Sequence, residues 1–196
     1  MKTAPLIKIT KIKANLVGKH VPTTHNGSAG RHIEDLMMEQ GFKINQGAGP
    51  DLDFGPGNQI EMKSRDEDAT SPHTVCNVSF QEILNSSYED SPVYNKIQKQ
   101  FRVKIKDGVI VSQQTYDLSS DWIQDLIKDA WVTCQKNAIA GITTKCTIPG
   151  THFGYIEFRT DKQTNNTIYR FRLSDSAMKK IESIGNSTIN DLFDLA

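Results

Sequence analysis

The 196 residues carry 23 Lys plus Arg against 23 Asp plus Glu, and 37% of them are hydrophobic. That length suits one globular domain with a substantial core, expected here over 1–196. The neutral balance excludes indiscriminate polyanion binding, and no apolar run approaches the roughly 20 residues of a membrane-spanning helix.

The charges are unevenly placed. Lys2, Lys8, Lys11, Lys13, Lys19 and Arg31 precede the first acid, and Lys96, Lys99, Arg102, Lys104 and Lys106 crowd a second window. Both windows suit a surface that follows phosphates, and equally suit solvated helix and strand edges. The N-terminal lysines are not followed by an apolar segment, so no secretory signal is expected and the expected setting is the cytoplasm. Cys76, Cys134 and Cys146 are odd in number and lack CxxC spacing, which predicts reduced structural thiols. The five histidines show neither HxxxH nor HExxH spacing, so no zinc site is expected.

In chain order, residues 18 to 30 read as a Gly-containing loop entering a helix from Arg31 to Gln40. Ile33, Leu36 and Met37 form its apolar stripe, Gly41 its stop, and Glu34 and Glu39 its acids. A charged hairpin follows within "GPDLDFGPGNQIEMKSR". Next come a strand from Thr74 to Phe80, a helix starting at Phe80, and a helix from Tyr94 to Gln100 that runs into an alternating segment from Phe101 to Lys106. Asp107-Gly108 predicts a hairpin turn before Val109 to Ser112. Ser119 or Ser120 should cap a helix with the stripe Trp122, Ile123, Leu126, Ile127, Ala130, Trp131 and Cys134. Two strands, Phe153 to Arg159 and Thr167 to Leu173, flank a polar loop, and a last helix spans about 175 to 184. Interleaved strands and helices predict a mixed α/β (α+β) class.

Register decides whether the hairpin charges converge. With a three-residue turn at Gly55-Pro56-Gly57, Asp53 opposes Gln59, Leu52 opposes Ile60 and Asp51 opposes Glu61. Asp51, Asp53, Gln59, Glu61 and Lys63 then share one face, and Leu52, Ile60 and Met62 the other. A one-residue slip would mix apolar and charged groups on both faces, so burial selects this register. Opposed carboxylates repel, and a hard divalent cation such as Mg²⁺ would supply the missing positive charge. Lys63 stands beside them, able to hold a water or offset phosphate charge. The set suits metal-assisted phosphodiester hydrolysis.

Pro50-Asp51 followed by Glu61-Met62-Lys63 resembles the motif of the PD-(D/E)xK nuclease superfamily. "GSAGRHIEDL", "DLDFG" and "QIEMKS" are similar in order to the branch of the MutH strand-nicking endonuclease and the Sau3A-type restriction enzymes. "SPVYNKIQKQFRVKI", "SSDWIQDLIKDAW", "FGYIEFR" and "YRFRLSDSAMKKI" extend the resemblance weakly over residues 27 to 181. It implies a restriction-endonuclease-like core, a central mixed β-sheet flanked by helices, with Mg²⁺ as cofactor and double-stranded DNA as partner. The catalytic core would cover about 27–112, and the helix and strand pair of 113–196 would recognise DNA.

The resemblance implies that Glu34 orients water or a second ion, that Asp51 and Glu61 bind metal, and that Lys63 is the catalytic lysine. Lys96 matches a further active-site lysine, with Lys99 competing for that place. Arg159 falls where the family contacts DNA, and Lys99, Arg102, Arg170 and Arg172 are the other expected DNA contacts. Two departures stand out. Asp53 rather than Asp51 precedes Phe, one residue farther from Glu61 than the pattern has it, so Asp53 is the alternative metal ligand; and the family's tyrosine in the last strand pair is replaced by Arg172 or displaced to Tyr169. The expected activity is sequence-specific endonuclease cleavage, as in a type II restriction enzyme with a cognate methyltransferase encoded by a bacterium or phage. A partner-activated nickase and a non-catalytic DNA binder on the same fold are the alternatives, and monomer and homodimer both stay open.

Overall fold

The computed structural model describes residues 15–22, 28–46, 50–54, 59–142, 146–147, 154–160 and 167–185. The Gly55-Pro56-Gly57 turn, the 161–166 loop and the first lysines lie outside the described residues.

The first helix, α1 (Ser28–Glu39), forms where Ile33, Leu36 and Met37 recur at helical spacing, and all three are buried. It stops at Gly41, whose φ of 91° is the left-handed conformation that a Cβ disfavours. That bend lets Gly41 N donate to Met38 O at 2.9 Å and Phe42 N to Met37 O at 3.1 Å, the paired bonds of a Schellman end.

The strands are β1 (Leu52–Asp53), β2 (Gln59–Asp66), β3 (His73–Ser79), β4 (Lys99–Lys106), β5 (Val109–Asp117), β6 (Cys146–Thr147), β7 (Gly154–Thr160) and β8 (Thr167–Leu173). The remaining helices are α2 (Phe80–Asn85), α3 (Pro92–Lys96), α4 (Asp121–Ile139) and α5 (Asp175–Gly185). Among the described residues, two four-stranded sheets result, ordered β1-β2-β4-β5 and β3-β8-β7-β6. In the first, β2 and β4 run parallel while β1 and β5 are antiparallel to their neighbours, so that sheet is mixed. The chain is thus a mixed α+β protein with a mixed sheet flanked by helices.

The hairpin register agrees with the sequence reading, pairing Leu52 with Ile60 and Asp53 with Gln59. Leu52, Ile60 and Met62 are buried against α1 together with Phe101, Val103, Ile105 and Ile110. Asp107 and Gly108 both have positive φ, 50° and 73°, which matches the turn twist to the β4–β5 hairpin.

The second core lies under the other sheet. Ile123, Ile127, Ala130, Trp131 and Cys134 of α4 pack with Val75, Cys76 and Val78 of β3 and with Tyr169, Phe171 and Leu173 of β8. Trp131 stacks on Phe171 with ring centroids 6.1 Å apart and donates Nε1–H to Ser86 O at 3.1 Å, so this tryptophan is core, as its stripe implied. Cys76 and Cys134 are buried, and the side chain of Cys146 lies outside the described residues.

Four boundaries differ from expectation, the first being α1, which begins at Ser28 within the expected loop. The helix expected from Tyr94 to Gln100 begins instead at Pro92, a residue suited to a first helical turn, and ends at Lys96 because Lys99 and Gln100 already pair in β4. Strand β5 runs past Ser112 to Asp117, through polar residues that hid its alternation; Gln113 Oε1 accepts from Leu16 N at 2.7 Å. The expected division near residue 112 therefore falls within β5, and β3, from the first part, pairs with β8 from the second. Among the described residues, no helix is long and apolar enough to cross a membrane.

Candidate functional site

Beyond the hairpin pair, the chain bends at Asp51. Asn45, in the segment following α1, fixes that bend twice: its N–H donates to Asp51 O at 2.8 Å and its Nδ2 to Pro50 O at 3.2 Å. The bend turns the Asp51 carboxylate onto β2, where Oδ2 accepts the Met62 N–H at 2.6 Å. Asp51 is therefore fixed in orientation between α1 and β2.

Glu61 is 5% exposed. Its Oε1 accepts from Lys63 Nζ in a close ion pair, while its Oε2 is buried with no hydrogen-bond partner. Burial raises the Glu61 carboxyl above its ordinary value, Asp51 adds to the rise, and Lys63 and Lys96 oppose it. Glu34, half-buried on α1, is raised by burial and then by Asp51 and Asp35, with Arg31 opposing and Glu61 adding a smaller push. Three carboxylates from α1, the bend and β2 thus feel one another's charge. Such mutual repulsion in a partly desolvated site is the arrangement a cation relieves.

Asp53, the alternative ligand, is exposed and accepts from Gln59 Nε2 at 3.2 Å, its register partner. Of the competing pairs, Glu34 faces the cluster whereas Glu39 is exposed on the same helix. Lys96, at the last position of α3, acts on Glu61, whereas Lys99 begins β4 opposite Asp117.

A cleft of about 480 Å³ opens beside the carboxylates, lined by Arg31, Glu34, Asp35, Asn45, Gln46 and Asp51. The sequence reading placed Arg31 only in the N-terminal basic window and gave Asn45 no role. Arg31 lies three residues before Glu34 and so on the same helix face, which is a readable signal; Asn45 sits in a polar connection with none.

The expected DNA contacts separate. Arg102 does not lie on an open surface: it is 9% exposed, between the sheets, donating Nη2 to Thr74 O at 3.0 Å and to Gln100 Oε1. Burial pulls its guanidinium down to about 10, still charged at neutral pH. Its place is structural, because the face of β4 that carries it is covered by β3. Arg170 and Arg172 lie on the face of β8 opposite the core residues Tyr169, Phe171 and Leu173. Arg170 Nε donates to Asn77 Oδ1 at 3.2 Å, and Arg172 Nη1 lies 3.4 Å from Glu157 Oε2. Arg159 opposes Ile168 on β7, which puts it on that same face; its side chain lies outside the described residues.

Among the described residues, no three His, Cys, Asp or Glu side chains close into a ready-made metal cage. Mg²⁺ does not require one, since it binds through one or two carboxylates and keeps several waters. The orphaned Glu61 Oε2, next to an oriented Asp51, fits such an ion. No family model matches the chain, and no curated protein matches it.

Proposed function

We propose that the chain is a Mg²⁺-dependent endonuclease acting on double-stranded DNA, with a restriction-endonuclease-like core. The observation that carries this reading is the convergence of Asp51, Glu61 and Lys63, with Glu61 Oε2 buried and unpartnered beside them. A nucleic-acid phosphodiester is the substrate whose cleavage uses carboxylates for a hard cation together with a lysine for phosphate charge.

Asp51 and Glu61 would hold the ion. When bound, Mg²⁺ lowers the pKa of an attacking water and offsets charge that builds on the phosphoryl group. Lys63, held at the surface of the cluster by Glu61, exchanges that ion pair for the phosphate and positions the nucleophile. Lys96 adds positive charge from the last position of α3. Glu34, whose raised carboxyl faces the cleft, accepts a proton from water or holds its orientation. The Arg159, Arg170 and Arg172 face of the second sheet supplies donors for phosphates or guanine edges.

A supercoiled plasmid incubated with Mg²⁺ or with EDTA tests this, beside Glu61→Gln. Discrete Mg²⁺-dependent products absent from the variant are expected for a sequence-specific enzyme. Equal cleavage by both proteins would remove Glu61 from the site.

A further inference from the structure

The polar face of the mixed sheet is a lattice of three rungs. Register places Glu61 beside Gln100 and Tyr116, Lys63 beside Arg102 and Gln114, and Arg65 beside Lys104 and Ser112. The last two rungs therefore carry like charges as direct cross-strand neighbours, Lys63 with Arg102 and Arg65 with Lys104. Such pairs destabilise a sheet unless opposite charge lies between them.

The compensation present is partial. Glu61 takes Lys63, and Asp175 lies 3.7 Å from Arg65 Nη1, too far for a hydrogen bond. Arg65 Nη1 and Arg102 Nε are buried without hydrogen-bond partners. Burial and the neighbouring Arg65 both lower the Arg102 guanidinium, and Tyr116 opposes them. These side chains, with His73, line a cavity of about 20 Å³, room for one water-sized group.

We infer that the Lys63–Arg102 and Arg65–Lys104 rungs build an anion site that takes one small anion, a halide or a single phosphate oxygen. The volume excludes a whole phosphate unless the cavity widens, and the two orphaned guanidinium donors supply its hydrogen bonds. Lys104, exposed at the rim, marks the way in. The site holds whether or not the chain cleaves DNA.

The test is the melting temperature of the full chain in EDTA as sodium gluconate is replaced by sodium chloride at constant ionic strength. Chloride should raise it saturably, by roughly 2–4 °C for about 1 kcal/mol in a chain of this size. Lys104→Gln should lose the rise. Lys106→Gln, whose lysine pairs with Glu67 at 3.2 Å outside the cavity, should keep it. Sodium phosphate forms a parallel arm: a rise with chloride alone assigns the site to a halide, and a Lys104-dependent rise with phosphate assigns it to a phosphate oxygen. Identical melting in all three salts, or a rise that Lys104→Gln leaves undiminished, overturns the inference.

Discussion

The Asp51 carboxylate and the Met62 amide are joined by a 2.6 Å hydrogen bond. Strand β1 is only two residues long, and beyond it a side chain rather than a strand receives that N–H. One residue therefore extends the sheet and orients a carboxylate toward Glu61.

Those two roles separate by substitution. Asp51→Asn keeps an oxygen acceptor for Met62 and should stay within about 1 kcal/mol of wild-type stability, whereas Asp51→Ala strands the amide at a cost of about 1–3 kcal/mol. Both should lower Mg²⁺-dependent cleavage by about 100-fold or more, because both remove the charge. Urea denaturation alongside plasmid cleavage checks this; full activity in Asp51→Asn would show that the carboxylate serves only the fold.

Glu61 gives a second prediction, independent of turnover. Its folded carboxyl is raised, so the folded state holds a proton that the unfolded state has released, and the stability from that proton is lost as pH rises through the raised value. Glu61→Gln should therefore melt at or above the wild-type temperature at neutral pH while losing cleavage. Magnesium sulfate, compared with sodium sulfate at equal ionic strength, should raise the wild-type melting temperature and leave Glu61→Gln unchanged. An equal magnesium response in both proteins would mean that the ion binds elsewhere.

The hairpin was legible in the sequence because period-two alternation left one phase that buried Leu52, Ile60 and Met62 together. The Gly41 stop and the Asp107-Gly108 turn were legible because each needs a backbone conformation that few residues adopt. Arg102 was not. It alternates with Phe101 and Val103 just as Arg170 alternates with Tyr169 and Phe171. The difference is what covers the polar face: the His73–Thr74 end of β3 lies over Arg102, and that strand reaches the second sheet through non-local pairing. Asp51 and Asp53 were likewise equivalent by face, until the bend fixed by Asn45 separated them.

The two arginines should respond differently to truncation. Arg102→Ala leaves Thr74 O and Gln100 Oε1 without their donor and opens space against Tyr116, whose ring centroid lies 6.0 Å from the guanidinium carbon. It should cost about 1–3 kcal/mol of stability from the stranded acceptors, reduced by the removal of a charge that faces Lys63. Arg170→Ala should change stability by less than about 1 kcal/mol and weaken duplex binding in a gel shift. Unchanged DNA affinity in Arg170→Ala would remove the β8 face from the proposed interface.

His73 supplies the pH dependence on the acid side. Burial, then Arg102 and Arg65, lower it from 6.5 to about 4, against the pull of Asp175. Its contact with Asp175 Oδ1, 2.8 Å from Nε2, is therefore a hydrogen bond from a neutral imidazole and not an ion pair at neutral pH. The neutral ring also suits its other side, where Nδ1 faces Arg102 Nη1 at 3.5 Å. Between these two values the unfolded state binds the proton and the folded state does not, so the contribution is complete above the unfolded value and is lost as pH falls. Linkage gives about 2 kcal/mol lost between pH 8 and pH 5. His73→Gln retains a donor for Asp175 without the titration, and its stability should lose about 2 kcal/mol less over that interval. Urea midpoints at the two pH values measure the difference, and equal losses in both proteins would place the acid sensitivity on other groups.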